Sequence, residues 1–138
     1  MYRVIAAILL LSLSAMAHSE VVVIGNKDSS VGSLGEDQVA ELFLGKAAKL
    51  PDGTVAEVAD LSVGNPVRDE FSNKVLHKTE RQLRAYWAKR VFTGKGTPPA
   101  TLPDEQAVVD WVAAGKGRLG YISGKAVSDK VKILLRMP

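Results

Sequence analysis

The sequence contains no cysteine among its 138 residues. Without thiols the chain forms no disulfides, holds no metal through thiolates, has no cysteine nucleophile and offers no cysteine for an N-terminal lipid anchor. Histidine is almost as scarce, since His18 and His77 are the only two. Neither has the spacing of a metal site or a Ser-His-Asp arrangement. The sequence therefore predicts a protein that is not an enzyme and needs no cofactor.

Long apolar runs are also missing, apart from one near the start. Arg3 precedes the apolar run Val4–Leu13, and the small residues Ala15-Met-Ala17 follow it, which is the pattern of a secretory signal peptide. The run is shorter than the roughly 20 residues of a membrane-spanning helix. We therefore expect a signal peptide over residues 1–17, one domain over residues 18–138 and no stable membrane insertion. A cleaved signal without a lipid anchor indicates the periplasm of a bacterium with two membranes.

Charge is unevenly distributed along the chain, although the formal net charge is only +3. Residues 18–73 hold four Lys or Arg and ten Asp or Glu, whereas residues 74–95 hold seven basic residues and one acid, Glu80. A basic region of this kind attracts an anionic ligand or an acidic partner surface. Secretion makes nucleic acid an unsuitable partner.

Segments with strand and helix patterns alternate along the chain. Apolar or alternating segments predict four strands, and apolar residues at helical spacing predict four helices. For one of these helices, the capping-box spacing of Thr79 and Gln82 predicts a start at Glu80. The apolar spacing of the same helix predicts a buried face of Leu83, Tyr86, Trp87 and Val91. The predicted strands are Glu20–Gly25, Val55–Leu61, Arg118–Ile122 and Lys130–Leu135, and the helices are Leu34–Leu44, Pro66–Leu76, Glu80–Phe92 and Asp104–Ala114. This order predicts an α/β domain with a sheet flanked by helices.

The stretch Ala59–Phe71 marks a junction between a strand and a helix. Asn65 is a good N-cap and Pro66 suits the first helical position. Such a junction directs backbone N–H groups beyond the strand end, where anions commonly bind. Arg68 could add a guanidinium to this site. The alternative is an arginine paired with an acid, which contributes under about 1 kcal/mol at a surface.

A second polar segment follows the first predicted strand and carries Ser29 and Ser30. Binding sites in α/β sheets gather outside the carboxyl ends of the strands. We therefore expect Ser29 and Ser30 to lie across a cleft from Ser62, Gly64 and Asn65, with all five contributing to a ligand site. The alternative is an ordinary polar turn.

Three segments together resemble a known family. They are Phe43-Leu-Gly-Lys46, the junction with Gly64, Arg68 and Phe71, and Gly120-Tyr-Ile122. The chain is similar to the phosphate-binding proteins of ABC transporters, which have the type II periplasmic binding protein fold. The resemblance implies one three-layer lobe of that fold, with a mixed sheet, and an oxyanion held at the start of a helix. Asn65-Pro-Val67 stands where the family has Ser-Gly-Thr, and Leu61 where it has an arginine.

Two functions are consistent with these features. In the first, the protein binds phosphate or a similar oxyanion through Ser29, Ser30, Ser62, Gly64, Asn65 and Arg68. The resemblance then implies a link to phosphate uptake or sensing and contact with an ABC transporter permease. In the second, the lobe binds no small ligand, and residues 74–95 contact an acidic periplasmic protein.

Overall fold

The computed structural model describes residues 20–138, so the predicted signal peptide and its cleavage after Ala17 lie outside the described residues. The described chain forms five strands, four α-helices and two short turns of other helix types. The strands are β1 (Val21–Asn26), β2 (Glu57–Leu61), β3 (Ala100–Leu102), β4 (Arg118–Ser123) and β5 (Val131–Met137). The helices are α1 (Glu36–Phe43), α2 (Pro66–Phe71), α3 (Glu80–Phe92) and α4 (Glu105–Ala113). No helix in residues 20–138 has the length and apolarity needed to cross a bilayer.

The five strands form one mixed sheet in the order β3-β2-β4-β1-β5. β2 runs parallel to β3 and β4, whereas β1 runs antiparallel to both of its neighbours, β4 and β5. The predicted α/β class and mixed sheet are therefore confirmed. β3 was not predicted, because three residues at a sheet edge are too few to produce a recognisable pattern.

The core lies between the sheet and the helices, and its centre is aromatic. Phe71 of α2 stacks on Tyr121 of β4, with ring centroids 3.9 Å apart and planes 7° from parallel. Phe43 of α1 meets Phe71 edge to face at 4.8 Å. All three rings are buried. This cluster joins two helices to the middle of the sheet.

The helix that follows β2 begins as predicted. The Asn65 side chain accepts a hydrogen bond from the Val67 amide at 2.9 Å, and Pro66 occupies the first turn. After Phe71 the helix widens into a π-helical turn over Ser72–Leu76. The predicted helix Pro66–Leu76 is therefore continuous in the structure but changes type halfway.

The third helix has its predicted bounds but not its predicted buried face. Its Thr79 and Gln82 form the expected capping box, whose hydrogen bonds hold the first turn. Of the four side chains predicted to be buried, only Leu83 is, and Val91 is 51% exposed. Tyr86 and Trp87 are half-buried. The prediction for Val91 is wrong because no described element packs over that side of α3.

Candidate functional site

The turn between β2 and α2 brings three of the predicted site residues together. The Asn65 amide donates to the Ser62 carbonyl at 3.1 Å, which closes a tight turn. Gly64 occupies the third position of this turn with φ +93°, a conformation that side chains disfavour. The hydroxyl of Ser62 donates to the Leu102 carbonyl at 3.1 Å and ties the turn to β3. Ser62, Gly64 and Asn65 thus form one fixed segment at the end of β2.

The turn offers neutral hydrogen-bond donors to solvent. The closing bond does not use the amides of its two central residues, Val63 and Gly64, and both residues are exposed. The carbonyl oxygen of the Asn65 side chain caps α2, which leaves its NH2 group as a further donor. These groups could hydrogen-bond an oxyanion, but none of them carries a charge.

Arg68 lies in the first turn of α2 and is 8% exposed. Its Nη1 donates to the Leu61 carbonyl at 2.8 Å and lies 3.5 Å from Asp60 Oδ2. Its Nε and Nη2 donate to the two carboxylate oxygens of Glu80 at 2.5 and 3.2 Å. The guanidinium therefore faces two carboxylates and the end of β2, and it does not present its charge at the Val63 and Gly64 amides. These contacts match the alternative in which Arg68 pairs with an acid better than they match a role in holding an anion. The pair is buried, however, and does not lie at the surface.

Tyr121 completes this buried network. Its hydroxyl donates to Asp60 Oδ1 and accepts from the Leu61 amide at 3.1 Å. Burial raises the pKa of Asp60, while the Tyr121 hydrogen bond and the Arg68 charge oppose that rise. Burial and the Asp60 charge also raise the pKa of Tyr121, so the phenol stays protonated. Burial disfavours the charged form of Arg68, yet the hydrogen bond to Glu80 and the charge of Asp60 leave its pKa raised.

The network contains residues that were not among the predicted site residues, namely Asp60, Glu80 and Tyr121. One pattern in the sequence could have indicated it. Asp60 stands between Ala59 and Leu61 at the end of an apolar strand, and a buried carboxylate requires a cationic or hydrogen-bonding partner. Arg68, eight positions later on the following helix, is a suitable partner.

Ser29 and Ser30 lie at the opposite end of the sheet from Ser62. β1 is antiparallel to β4 and β2 is parallel to it, so the carboxyl ends of β1 and β2 point in opposite directions. The prediction that these serines face Gly64 and Asn65 across one cleft is therefore wrong. The strand pattern predicted β1 correctly, but a strand has the same residue pattern in either direction.

Both serines have local partners. The Ser29 hydroxyl accepts from the Val31 amide at 3.2 Å, and the Ser30 hydroxyl donates to Asp52 Oδ2 at 2.6 Å. These bonds hold the segment after β1 against the turn at Asp52. These contacts match the alternative that the segment carrying Ser29 and Ser30 is an ordinary polar turn.

The Ser30 bond has a measurable consequence for Asp52. Hydrogen bonds from Ser30 and Thr54 lower the pKa of Asp52 to about 2. We expect Ser30→Ala to raise this pKa toward its ordinary value, because the largest stabilising contact of the charged form is lost. Carboxyl-carbon NMR over an acid titration measures it, and Ser33→Ala on the same loop is the control. An unchanged Asp52 pKa in Ser30→Ala would contradict the hydrogen bond.

Residues 20–138 contain no group of three or more His, Asp or Glu side chains placed to hold a metal ion. The carboxylates of Asp60 and Glu80 are paired with Arg68. The arrangement at the end of β2 therefore consists of neutral hydrogen-bond donors in front of ion-paired carboxylates.

The fold is similar to that of solved proteins described as phosphate transport or phosphate-binding proteins. A protein from Clostridium perfringens, described as a phosphate ABC transporter substrate-binding protein with bound phosphate, superposes with a TM-score of 0.68 at 19% identity, covering 84% of this chain and 45% of its own. A phosphate transport receptor from Vibrio cholerae gives 0.68 at 15% identity, covering 84% and 46%. PstS from Borrelia burgdorferi gives 0.62 at 9% identity, covering 84% and 47%.

The chain thus has the fold of one part of these proteins and spans less than half of their length. At these identities the likeness shows the fold alone. No protein-family model and no curated protein sequence matches the chain.

Proposed function

We propose that the chain is a periplasmic, non-enzymatic binding lobe that takes phosphate or a similar oxyanion at the turn between β2 and α2. Its fold is the observation that carries this proposal, because the solved neighbours are phosphate transport proteins and one of them holds phosphate. By the same likeness, the lobe acts in phosphate uptake or sensing beside an ABC transporter permease.

In this proposal the anion is held by neutral donors. The amides of Val63 and Gly64 and the side-chain NH2 of Asn65 hydrogen-bond it, and Ser62 fixes the turn. Arg68 holds the end of β2 in place through Leu61 and does not touch the ligand. Because phosphate is charged, each of these hydrogen bonds contributes about 1.5 to 3 kcal/mol, but no cation of the protein contacts the anion in this arrangement. The open turn therefore binds phosphate weakly, on the order of millimolar.

Amide NMR of the secreted form, starting at His18, tests the site during a titration with inorganic phosphate. We expect saturable shifts at Val63 and Gly64, with smaller effects at Ser29 and Ser30 on the other end of the sheet. Sulfate in a parallel titration measures the selectivity for phosphate. The proposal fails if the shifts do not saturate, or if they cluster on the basic side chains of residues 74–95.

The variant Asn65→Asp tests the role of the turn directly. Aspartate keeps an oxygen for the cap on α2, but it loses the NH2 donors and adds a negative charge. We expect the phosphate shifts at Gly64 to vanish while the thermal midpoint stays close to wild type. The matched control is Gln38→Glu, which changes an amide to a carboxylate in the capping box of α1. Phosphate shifts that persist in Asn65→Asp would place the anion elsewhere.

A further inference from the structure

The outer side of α3 exposes large apolar side chains to solvent. Val91 is 51% exposed, Phe92 is 92% exposed, and Val63 on the turn before α2 is 68% exposed. With Leu83 and Trp87 they border an open groove of about 690 Å³, which we call the α3 groove. Monomeric proteins rarely leave a contiguous apolar surface of this kind uncovered unless a partner binds there.

The α3 groove is a fixed feature, because the opposite side of the helix is anchored. The Tyr86 hydroxyl donates to the Leu44 carbonyl at 2.6 Å, and Arg90 donates to the Gly45 carbonyl at 2.9 Å. These bonds tie two turns of α3 to the end of α1. The helix therefore cannot rotate to bury Val91 without breaking both of them.

The border of the α3 groove is positively charged. Arg84 lines it, and Arg81 is exposed three residues earlier on the same helix. Glu80 is the only acidic residue of α3, and Arg68 already pairs with it. The charge available to a partner at this surface is therefore basic, which complements an acidic surface.

We propose that the α3 groove docks an amphipathic helix of an acidic partner protein. Apolar side chains of that helix rest against Val63, Trp87 and Phe92, and its carboxylates face Arg81 and Arg84. This function goes beyond anion binding. It uses a different surface, although Val63 and Arg68 line the groove and also belong to the turn region.

Two other occupants fit the groove less well. Two copies meeting through α3 would bring their Arg81 and Arg84 side chains together, and like charges oppose such a contact. An anionic lipid surface is flat on this scale, whereas Leu83 and Trp87 line a concave groove that accepts an inserted side chain.

Selection from a phage-displayed library of random peptides tests the proposal with the secreted form as the target. We expect enriched peptides to carry several acidic residues and apolar residues at helical spacing. Their affinity falls about tenfold or more for Val91→Ser and for Arg84→Glu, and it weakens with added salt. Val55→Ser is the matched control, since Val55 is also exposed but lies outside the groove. These exposed positions allow the variants to fold.

Each alternative result overturns the proposal. Enriched peptides without acidic residues, or peptides that bind Val91→Ser as tightly as wild type, exclude this mode of docking. Flotation with phosphatidylglycerol vesicles that is lost in Val91→Ser assigns the groove to a lipid surface. A dimer in sedimentation velocity that dissociates in Val91→Ser assigns it to a second copy. We expect a monomer that does not float with vesicles. None of these results bears on the phosphate titrations, so the docking proposal and the anion-binding proposal can fail separately.

Discussion

Replacing Arg68 by methionine lowers the free energy of unfolding by about 3 to 5 kcal/mol, because it leaves two partly buried carboxylates without their cation. Asp60 and Glu80 are both within 3.5 Å of the guanidinium, and its side chain is 10% exposed. Methionine has a similar length and no polar group, so the loss comes mainly from charge and hydrogen bonding. Urea denaturation measures the difference.

The control applies the same substitution to an exposed pair. Arg136 lies 3.2 Å from Glu20, and its side chain is 61% exposed. We expect Arg136→Met to cost under about 1 kcal/mol. Adding Glu80→Gln to Arg68→Met recovers part of the stability, since one of the unpaired charges is removed. A loss at Arg68 no larger than at Arg136 would show that the network is not an energetic unit.

The loss of unfolding free energy in Arg68→Met also depends on pH. Burial raises the pKa of Asp60, and the Arg68 charge opposes that rise, so the variant has a still higher Asp60 pKa. When the pKa of a carboxyl is higher in the folded than in the unfolded state, the protein loses stability as the pH rises through the folded-state pKa. The deficit of the variant is therefore larger at neutral pH than in mild acid.

This network also bears on anion binding. In the folded protein, one cation is surrounded by two carboxylates, so the region behind the turn is not an attractive environment for a second anion. Any phosphate at Val63 and Gly64 thus depends on backbone amides and on Asn65. We therefore expect Arg68→Met to lower the stability of the fold without removing a ligand contact. Asn65→Asp should remove a ligand contact without lowering the stability of the fold.

The sequence predicted best the features that depend on local chemistry. The capping box at Thr79 and Gln82 predicted the start of α3, and Asn65 with Pro66 predicted the start of α2. Both helix starts depend on residues only a few positions apart in the sequence, so they can be predicted without knowledge of the tertiary structure.

The errors concern relations between distant segments. Because β1 runs antiparallel to β4, Ser29 lies at the other end of the sheet from Gly64. The residue pattern of a strand does not encode the direction in which it pairs. The exposure of Val91 was missed for a related reason. Apolar residues at helical spacing look the same whether their own chain or a partner covers them.

The residues that carry the family resemblance meet in one place. Phe43, Phe71 and Tyr121 come from three separate matching segments and form the aromatic cluster at the centre of the core. The resemblance is therefore mainly one of packing. It predicts the fold well for that reason, whereas the turn at Asn65 has its own sequence.

Removing the Phe71 ring tests how much this cluster stabilises the fold. Phe71 is fully buried and contacts both Phe43 and Tyr121. Phe71→Ala costs about 3 to 5 kcal/mol of unfolding free energy, because it removes a large apolar side chain and leaves a cavity that the sheet and helices cannot close. Phe71→Leu costs less, since it retains most of the apolar volume. Chemical denaturation of both variants gives the two values.

The matched control is Phe92→Ala, the same deletion at a ring that is 92% exposed. That change stays within about 0.5 kcal/mol of wild type, because the ring contributes no burial in the isolated chain. The two phenylalanines thus separate folding from docking. Phe71 stabilises the lobe with little effect on its surface, and Phe92 should matter only when a partner covers α3. Comparable losses of stability at both positions would mean that α3 packs against the lobe in solution, and the groove would then be closed to a partner.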